Sequence, residues 1–177
     1  LISGGDRGIG AATAKAFYEA GYRVAVFYHK NAEAAAALEK ALPGCTIVQC
    51  DVASRASCEL AFHAVEQALG RVDVLVSNAG IAQQKLFTDI TPEEWQHMLD
   101  VNLTGAFNLC QLVLPGMIRR KAGRILTVSS MWGQTGGSCE VHYSAAKAGL
   151  IGLTKALAKE EGPSGITVNC VAPGVID

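Results

Sequence analysis

Short apolar runs alternate with helical stretches along the whole chain, and this alternation restricts the fold more than any other feature. The run "LIS" reads as the end of a strand, and "GIGAATAKAFYEAG" as a helix with apolar residues at helical spacing. "YRVAVFY" follows as a buried strand, "NAEAAAALEKAL" as a helix capped by Asn31, and "CTIVQCDV" as another strand. "SRASCELAFHAVEQALG" begins on Ser54 and stops on Gly70, residue types that start and end helices. Beyond it "VDVLVSNAG" gives a strand and turn, and 91–120 a long helix with Pro92 in its first turn. "GRILTVSS", "YSAAKAGLIGLTKALAKEEG" and "GITVNCVAPG" close the chain as strand, helix and strand. Apolar strands separated by helices predict a parallel sheet covered on both faces, an α/β, doubly wound fold in three layers. Such sheets bind ligands beyond the carboxyl ends of their strands, near the switch in strand order. Ser3, Asp51, Asn78, Ser130 and Pro173 all fall at such ends, so one rim collects the unusual chemistry.

The first of those ends carries "SGGDRGIG", with Gly4, Gly8 and Gly10 spaced G-x-x-x-G-x-G between a strand and a helix. Glycine there lets the backbone turn sharply and approach a pyrophosphate, while the helix N-terminus offers unpaired N–H groups. A merely tight turn would use the same residues. Within a βαβ unit the loop, with Asp6, Arg7 and Ile9 inside it, reads as a dinucleotide site, and the fold as Rossmann-type. The second strand should end near the adenine ribose, where NAD-preferring sites place a carboxylate. Tyr28, His29 and Lys30 stand there instead. With no acid at that place and Arg7 nearby, Arg7 and Lys30 can reach a 2′-phosphate, and the cofactor expected is NADP rather than NAD.

Tyr143 and Lys147 lie one helical turn apart and share a face. A free tyrosine, with a pKa of about 10, needs roughly 4 kcal/mol to ionise at pH 7. A cation about 4 Å away, in an effective dielectric of about 20, returns up to roughly 4 kcal/mol. Desolvation of both groups subtracts from that gain. The spacing therefore predicts a lysine that tunes a tyrosine toward the working range of a general acid or base. Ser130 ends the preceding strand, and alternation sends Ser129 to the opposite face.

Composition narrows the rest. With 177 residues, half of them hydrophobic, 1–177 is expected to form a single NAD(P)-binding domain. It reads as truncated at both ends, since it opens inside a strand and closes just past one. A net charge of −1, with both signs interspersed, argues against a nucleic-acid partner. The apolar runs are too short for a bilayer and no leader opens the chain, so no membrane partner and a cytoplasmic location are expected. Cysteines at 45, 50, 58, 110, 139 and 170 lack C-x-x-C spacing and the histidines do not cluster with them, which argues against a metal site.

Taken together, these residues resemble the short-chain dehydrogenase/reductase family over essentially the whole chain. The resemblance is carried by "SGGDRGIG", Asp51–Val52, "SNAG" at 77–80, Asn102 in "DVNLTG", Ser130, "YSAAK" at 143–147 and "VAPG" at 171–174. Within the family, "HYSAAKAGLIGLTKALAKE" and "GITVNCVAPG" are most similar to the 3-oxoacyl-acyl-carrier-protein reductases. "WGQTGGSCEVHYS" also resembles a subgroup associated with reducing a ketone on a modified lysine of elongation factor P. The resemblance implies that Tyr143 gives a proton to a substrate carbonyl while Ser130 donates a second hydrogen bond to it. It implies that Lys147 holds the nicotinamide ribose and that Asn102 orients a water relaying protons to Lys147. It places Asp51 and Val52 at the adenine, and Asn78, Ala79 and Gly80 beside the ribose and central strand. Pro173, Gly174, Val175 and Ile176 are placed against the cofactor. Ser3 and Ser77 depart from the family's frequent threonine and asparagine. The family's next cofactor-holding threonine, substrate-covering segment and last strand would lie beyond Asp177.

The function implied is an NADP-dependent carbonyl reductase acting on a small-molecule or carrier-protein-bound 3-oxoacyl thioester. A homotetramer joined through 91–120 and the helix from Tyr143 is implied with it. The same chemistry on another ketone, a sugar or a steroid stays open, as does a non-catalytic NADP-binding sensor or scaffold. Individual residues have plainer readings too. Tyr143 could be a half-buried helix tyrosine, Asn102 and Asp51 caps or turn residues, and Asn78 an Asx-turn residue. Trp132 could line a pocket or anchor its loop, and Cys139, Glu140 and His142 could touch substrate or sit in the loop.

Overall fold

The structure, a computed structural model, describes residues 1–176. Six strands form one parallel sheet: β1 (Ile2–Ser3), β2 (Ala25–Tyr28), β3 (Thr46–Gln49), β4 (Val74–Ser77), β5 (Gly123–Val128) and β6 (Ile166–Val171). Their spatial order, β3-β2-β1-β4-β5-β6, winds outward in both directions from β1 and β4, as the alternation predicts for a Rossmann-type α/β fold. The connections hold α1 (Gly8–Glu19), α2 (Ala32–Ala41), α3 (Arg55–Leu69), α4 (Pro92–Leu99), α5 (Gly105–Arg120), α6 (Trp132–Thr135) and α7 (Val141–Glu161).

Register divides the apolar residues between two cores. Ile2 lies beside Val26 on one neighbour and Val76 on the other, while Leu75 lies beside Ile125, which pairs with Val168. Successive residues of a strand face opposite sides, so these rows serve opposite faces. The first row packs with Ala14 of α1 and with Val24 and Leu42. The second packs against Cys58, Ala61 and Val65 of α3, Leu109, Val113 and Met117 of α5, and Leu157 of α7. Phe27, Leu75, Leu109 and Ile125 are fully buried in this second core, and each such burial contributes about 1.5–3 kcal/mol.

Helix boundaries follow side-chain chemistry. Asn31 accepts the Ala34 N–H at 2.9 Å and Ser54 accepts that of Ser57 at 3.3 Å. Thr91 and Glu94 form a reciprocal capping box around Pro92. The strands are shorter than their apolar runs. Tyr22 and Arg23 stay outside β2, where the Tyr22 ring meets Phe17 edge-on at 5.0 Å. Residues 50–52 leave β3 because Asp51 folds back, its Oδ1 accepting the Ala53 N–H at 3.0 Å. Ser129 and Ser130 lie just past β5 rather than within it, and α6 follows in a stretch without helical periodicity.

The helix expected over 91–120 is continuous but irregular. Between α4 and α5 a π segment, Asp100–Thr104, sends the Gly105 N–H back to the Asp100 carbonyl, one residue further than an α-helix does. Asn102 supplies the physical reason. Its Nδ2 donates to Met98 O at 3.0 Å, the carbonyl that a regular helix reserves for the backbone N–H of residue 102. The stretch Pro92–Arg120 is also long and apolar enough to cross a bilayer, which corrects the expectation that no run is. The reason is that runs of consecutive apolar residues understate a helix with scattered polar ones. Its apolar side chains pack on the sheet and α3, so it is a core helix. Phe107 and Ile118 remain exposed on it.

Candidate active site

The rim is built where β1 and β4 separate. Gly4 and Gly8 have φ of 59° and 52°, left-handed values that glycine takes at no steric cost. Gly4 also abuts the next loop, since a Cβ there would lie 2.9 Å from Ala79 Cα. Ser3 Oγ accepts the N–H groups of Asn78 and Ala79, both at 3.1 Å. Asn78 Nδ2 donates to Ser3 O at 3.1 Å and to Gly4 O at 2.9 Å. Asn78 therefore ties the glycine loop to the central strand with its side chain rather than forming an Asx-turn. No side chain caps α1, so the N–H groups of its first turn are available to an anion.

A cleft of about 560 Å³ runs along these strand ends. Gly4, Asp6, Arg7, Gly8 and Ile9 line it from the loop, and Tyr28, His29 and Lys30 from the end of β2. Asp51 and Val52 line it beyond β3, and Asn78, Ala79 and Gly80 beyond β4. Gly10 does not line it but is buried beneath the loop. Arg7 and Lys30 are both exposed on this cleft. The Asp51 carboxylate, besides making its own turn, stands 3.9 Å from His29 Nε2. The glycine cradle, the uncapped helix and the adjacent cations fit a dinucleotide with an anionic backbone. Cys50, His97 and Val101 also line the cleft, and nothing in their type or spacing marks them in the sequence. Among the described residues no group of His, Cys, Asp or Glu side chains is arranged to hold a metal ion.

A second cleft of about 230 Å³ continues from the first, sharing Ile9, Asn78, Gly80 and Ile81. Asn102, Ser130, Tyr143 and Lys147 all line it, together with Pro173, Gly174 and Ile176. Val175 does not line it and points its apolar side chain outward, 80% exposed. Buried Lys147 donates from Nζ to Val128 O at 2.9 Å and stands 5.7 Å from the centroid of the Tyr143 ring. Asn102 Nδ2 donates to Ile81 O at 3.0 Å and its Oδ1 accepts the Ile81 N–H at 3.2 Å. Asn102 is therefore not a cap; it clamps the loop after β4 from the π segment. Gly80 lets the two side chains face one spot, for a Cβ there would lie 2.7 Å from Asn102 Oδ1 and 3.3 Å from Lys147 Nζ. Ser130 Oγ accepts the Trp132 N–H at 3.2 Å, which leaves its hydroxyl hydrogen to donate. Ser129 Oγ donates to Lys147 O at 2.9 Å, away from the cleft chemistry.

The electrostatics differ from the sequence expectation. Burial pushes the Tyr143 phenol above its ordinary range; a hydrogen bond with Ser130 pulls it down and the Glu140 carboxylate pushes it up. Lys147 is itself buried. Burial lowers it from 10.5 to about 8, and its ammonium is engaged by a carbonyl. The phenol therefore stays protonated through neutral pH, and Lys147 is still mostly charged there.

Two neighbours are also settled. His142 is completely buried and bonds Gln83, so it does not face the cleft as a substrate contact. The Trp132 ring lies against Gly137, whose added Cβ would come within 3.0 Å of it, so Trp132 anchors its loop.

The sequence model of the family described as short chain dehydrogenase matches residues 1–177. An acetoacetyl-CoA reductase of Rhizobium meliloti (strain 1021) is 48% identical over 176 residues, covering 99% of this chain and 73% of that one. An acetoacetyl-CoA reductase of Paracoccus denitrificans is 47% identical over 176 residues, covering 99% and 72%. A 3-oxoacyl-[acyl-carrier-protein] reductase of Synechocystis sp. (strain ATCC 27184 / PCC 6803 / Kazusa) is 40% identical over 180 residues, covering 99% and 73%.

Proposed function

The chain belongs to the short chain dehydrogenase family and is thus an NAD(P)-linked oxidoreductase, and we propose that it is an NADPH-dependent reductase of a 3-oxoacyl thioester, with a coenzyme A thioester as first candidate. The observation that carries this reading is a protonated, half-buried Tyr143 that shares one cleft with Ser130 and Lys147, continuous with the glycine cradle. A phenol that is protonated at neutral pH is in the form that can give a proton to a ketone oxygen. The names of the relatives, two acetoacetyl-CoA reductases and a carrier-protein reductase, favour a thioester over the protein-borne ketone, sugar or steroid. The complete set of Asn102, Ser130, Tyr143 and Lys147 in one cleft argues against a non-catalytic sensor.

Bound NADPH would supply the hydride that reduces the carbonyl carbon. Tyr143 transfers its phenolic proton to the carbonyl oxygen, so that C=O becomes CH–OH. Ser130 donates to the same oxygen and stabilises its developing charge. Lys147, charged at neutral pH, favours the phenolate left on Tyr143 and holds the ribose hydroxyls. Asn102, fixed by Ile81 and Met98, keeps the loop wall beside Lys147 and supports the proton return. Arg7 and Lys30 receive the 2′-phosphate.

The test follows loss of NADPH or NADH absorbance in the full-length protein with acetoacetyl-CoA and with its carrier-protein thioester. Turnover is expected with NADPH and the CoA thioester. No turnover on either thioester, despite tight NADPH binding, would remove the substrate assignment. Lys30→Glu is expected to raise the KM for NADPH about tenfold or more and leave NADH unaffected, since a hydrogen bond to a charged group is worth roughly 1.5–3 kcal/mol. Equal effects on both cofactors would show that Lys30 does not read the phosphate.

The pH profile supplies a further check. Lys147 is charged below about 8 and neutral above it. Because kcat/KM reports groups of the free enzyme, it should fall by about tenfold per pH unit beyond that value. A level profile through pH about 10, the ordinary range of lysine, would count against a working charge on Lys147.

A further inference from the structure

One buried polar group next to the acid is unexplained by the reaction above. His142 precedes Tyr143 in the first turn of α7 and is 0% exposed. Its Nε2 lies 2.9 Å from Gln83 Oε1, in the loop between β4 and α4. Gln83 Nε2 in turn donates to Glu94 Oε1 at 2.9 Å. Glu94 also accepts both Lys85 Nζ contacts, at 2.8 and 2.7 Å, and the Thr91 N–H at 2.9 Å.

The direction of this chain is fixed by its far end. Glu94 is ionised at neutral pH, held down to about 2 first by Lys85, then by the Thr91 N–H and Gln83. A carboxylate only accepts, so Gln83 must turn its NH₂ toward Glu94 and its oxygen toward His142. His142 Nε2 must therefore carry the hydrogen. His142 Nδ1 has no partner, so the bond to Gln83 is the ring's only polar anchor among the described residues.

The start of α7 needs such an anchor. Glu140, at its N-cap, makes no side-chain bond to the helix. The first turn is held instead on either side of Tyr143. Ser144 Oγ accepts the Gly137 N–H at 2.9 Å, and His142 reaches Gln83. A second tie joins the same two loops, the Lys85 N–H donating to Cys139 O at 2.7 Å.

We propose that His142 is a positioning residue, whose hydrogen bond to Gln83 sets the first turn of α7 and thereby the place of the Tyr143 phenol against Ser130. The proposal rests on the assignment of Tyr143 as the acid. A misplacement of about 1 Å in a reacting group can cost on the order of a hundredfold in rate.

The test compares His142→Leu, His142→Gln, Gln83→Leu and Tyr143→Phe in the full-length protein, measuring kcat, KM for acetoacetyl-CoA, NADPH affinity and melting temperature. His142→Leu and Gln83→Leu are each expected to lower kcat by about ten- to a hundredfold with KM and NADPH affinity within about twofold. His142→Gln should recover most of the loss, because its amide nitrogen is as many bonds from the backbone as Nε2 and can donate to Gln83. If His142→Leu does not fold, Gln83→Leu, which leaves α7 intact, carries the test. Unchanged kcat in both leucine variants overturns the proposal, as does a glutamine variant as slow as the leucine one. A Tyr143→Phe variant with wild-type turnover removes the assignment of the acid and the proposal together.

Discussion

Replacing Tyr143 by phenylalanine should lower kcat by about a hundred- to ten-thousandfold, the range that a positioned general acid contributes. That range corresponds to roughly 2.7–5.4 kcal/mol of transition-state stabilisation. Phenylalanine keeps the ring, so the half-buried packing and the contact 5.7 Å from Lys147 Nζ survive. Only the hydroxyl, which faces the cleft shared with Ser130, is lost. Losing one hydroxyl should change stability by only about 1 kcal/mol, since a typical intramolecular hydrogen bond nets little more. NADPH affinity should stay within a few-fold, because the glycine cradle and the Lys147 ammonium are untouched. The separation of effects is what makes the variant informative: kcat falls while cofactor affinity and melting temperature hold. Steady-state kinetics with a fluorescence titration of NADPH measures both. A fall in kcat below about tenfold would mean that the proton comes from elsewhere, with the Ser130 hydroxyl in the same cleft the next to test.

The sheet and the rim were legible because period and punctuation agree. The strands Ala25–Tyr28 and Val74–Ser77 are almost wholly apolar and almost wholly buried, and Asn31, Ser54 and Thr91 cap the helices that their positions announce. What failed to show in the sequence was what depends on side chains meeting across the fold. The π segment at Asp100–Thr104 arises because Asn102 takes the Met98 carbonyl, and no spacing rule encodes that competition. The direction of the Tyr143 shift was misread for a similar reason. Sequence spacing places a lysine one turn away but says nothing of how deeply both groups are buried, and burial is the largest cause of each shift. His97 and Cys50 reach the cofactor cleft, and His142 reaches Gln83, only through the topology.

Gly10→Ala should sharply weaken cofactor binding, although alanine is ordinarily the better helix residue by about 1 kcal/mol. The sign is decided by what a Cβ would meet. It would overlap the Gly4 carbonyl oxygen, lie 2.9 Å from the Gly4 carbonyl carbon and come within 2.6 Å of Asn78 Nδ2. None of these is the loose end of a long side chain. Gly4 is backbone in the glycine loop, and the Asn78 amide is already committed to Gly4 O at 2.9 Å and Ser3 O at 3.1 Å. To admit a methyl group, the loop must lift from α1 or the amide must release β1. Overpacking of this kind costs about 1–3 kcal/mol in stability. Either movement displaces the first-turn N–H groups, so NADPH affinity should drop by at least about a hundredfold, in line with the cost of misplacing a binding group. Gly152→Ala is the matched control, because Gly152 lies in α7 with open space where its Cβ would go. That variant should keep full affinity and gain up to about 1 kcal/mol. Melting curves and NADPH titrations of the two together separate helix propensity from steric exclusion. A Gly10→Ala protein that binds NADPH as the wild type does would show that the loop and Asn78 yield at little cost, and that the close approach of α1 to β1 is not what shapes the cradle.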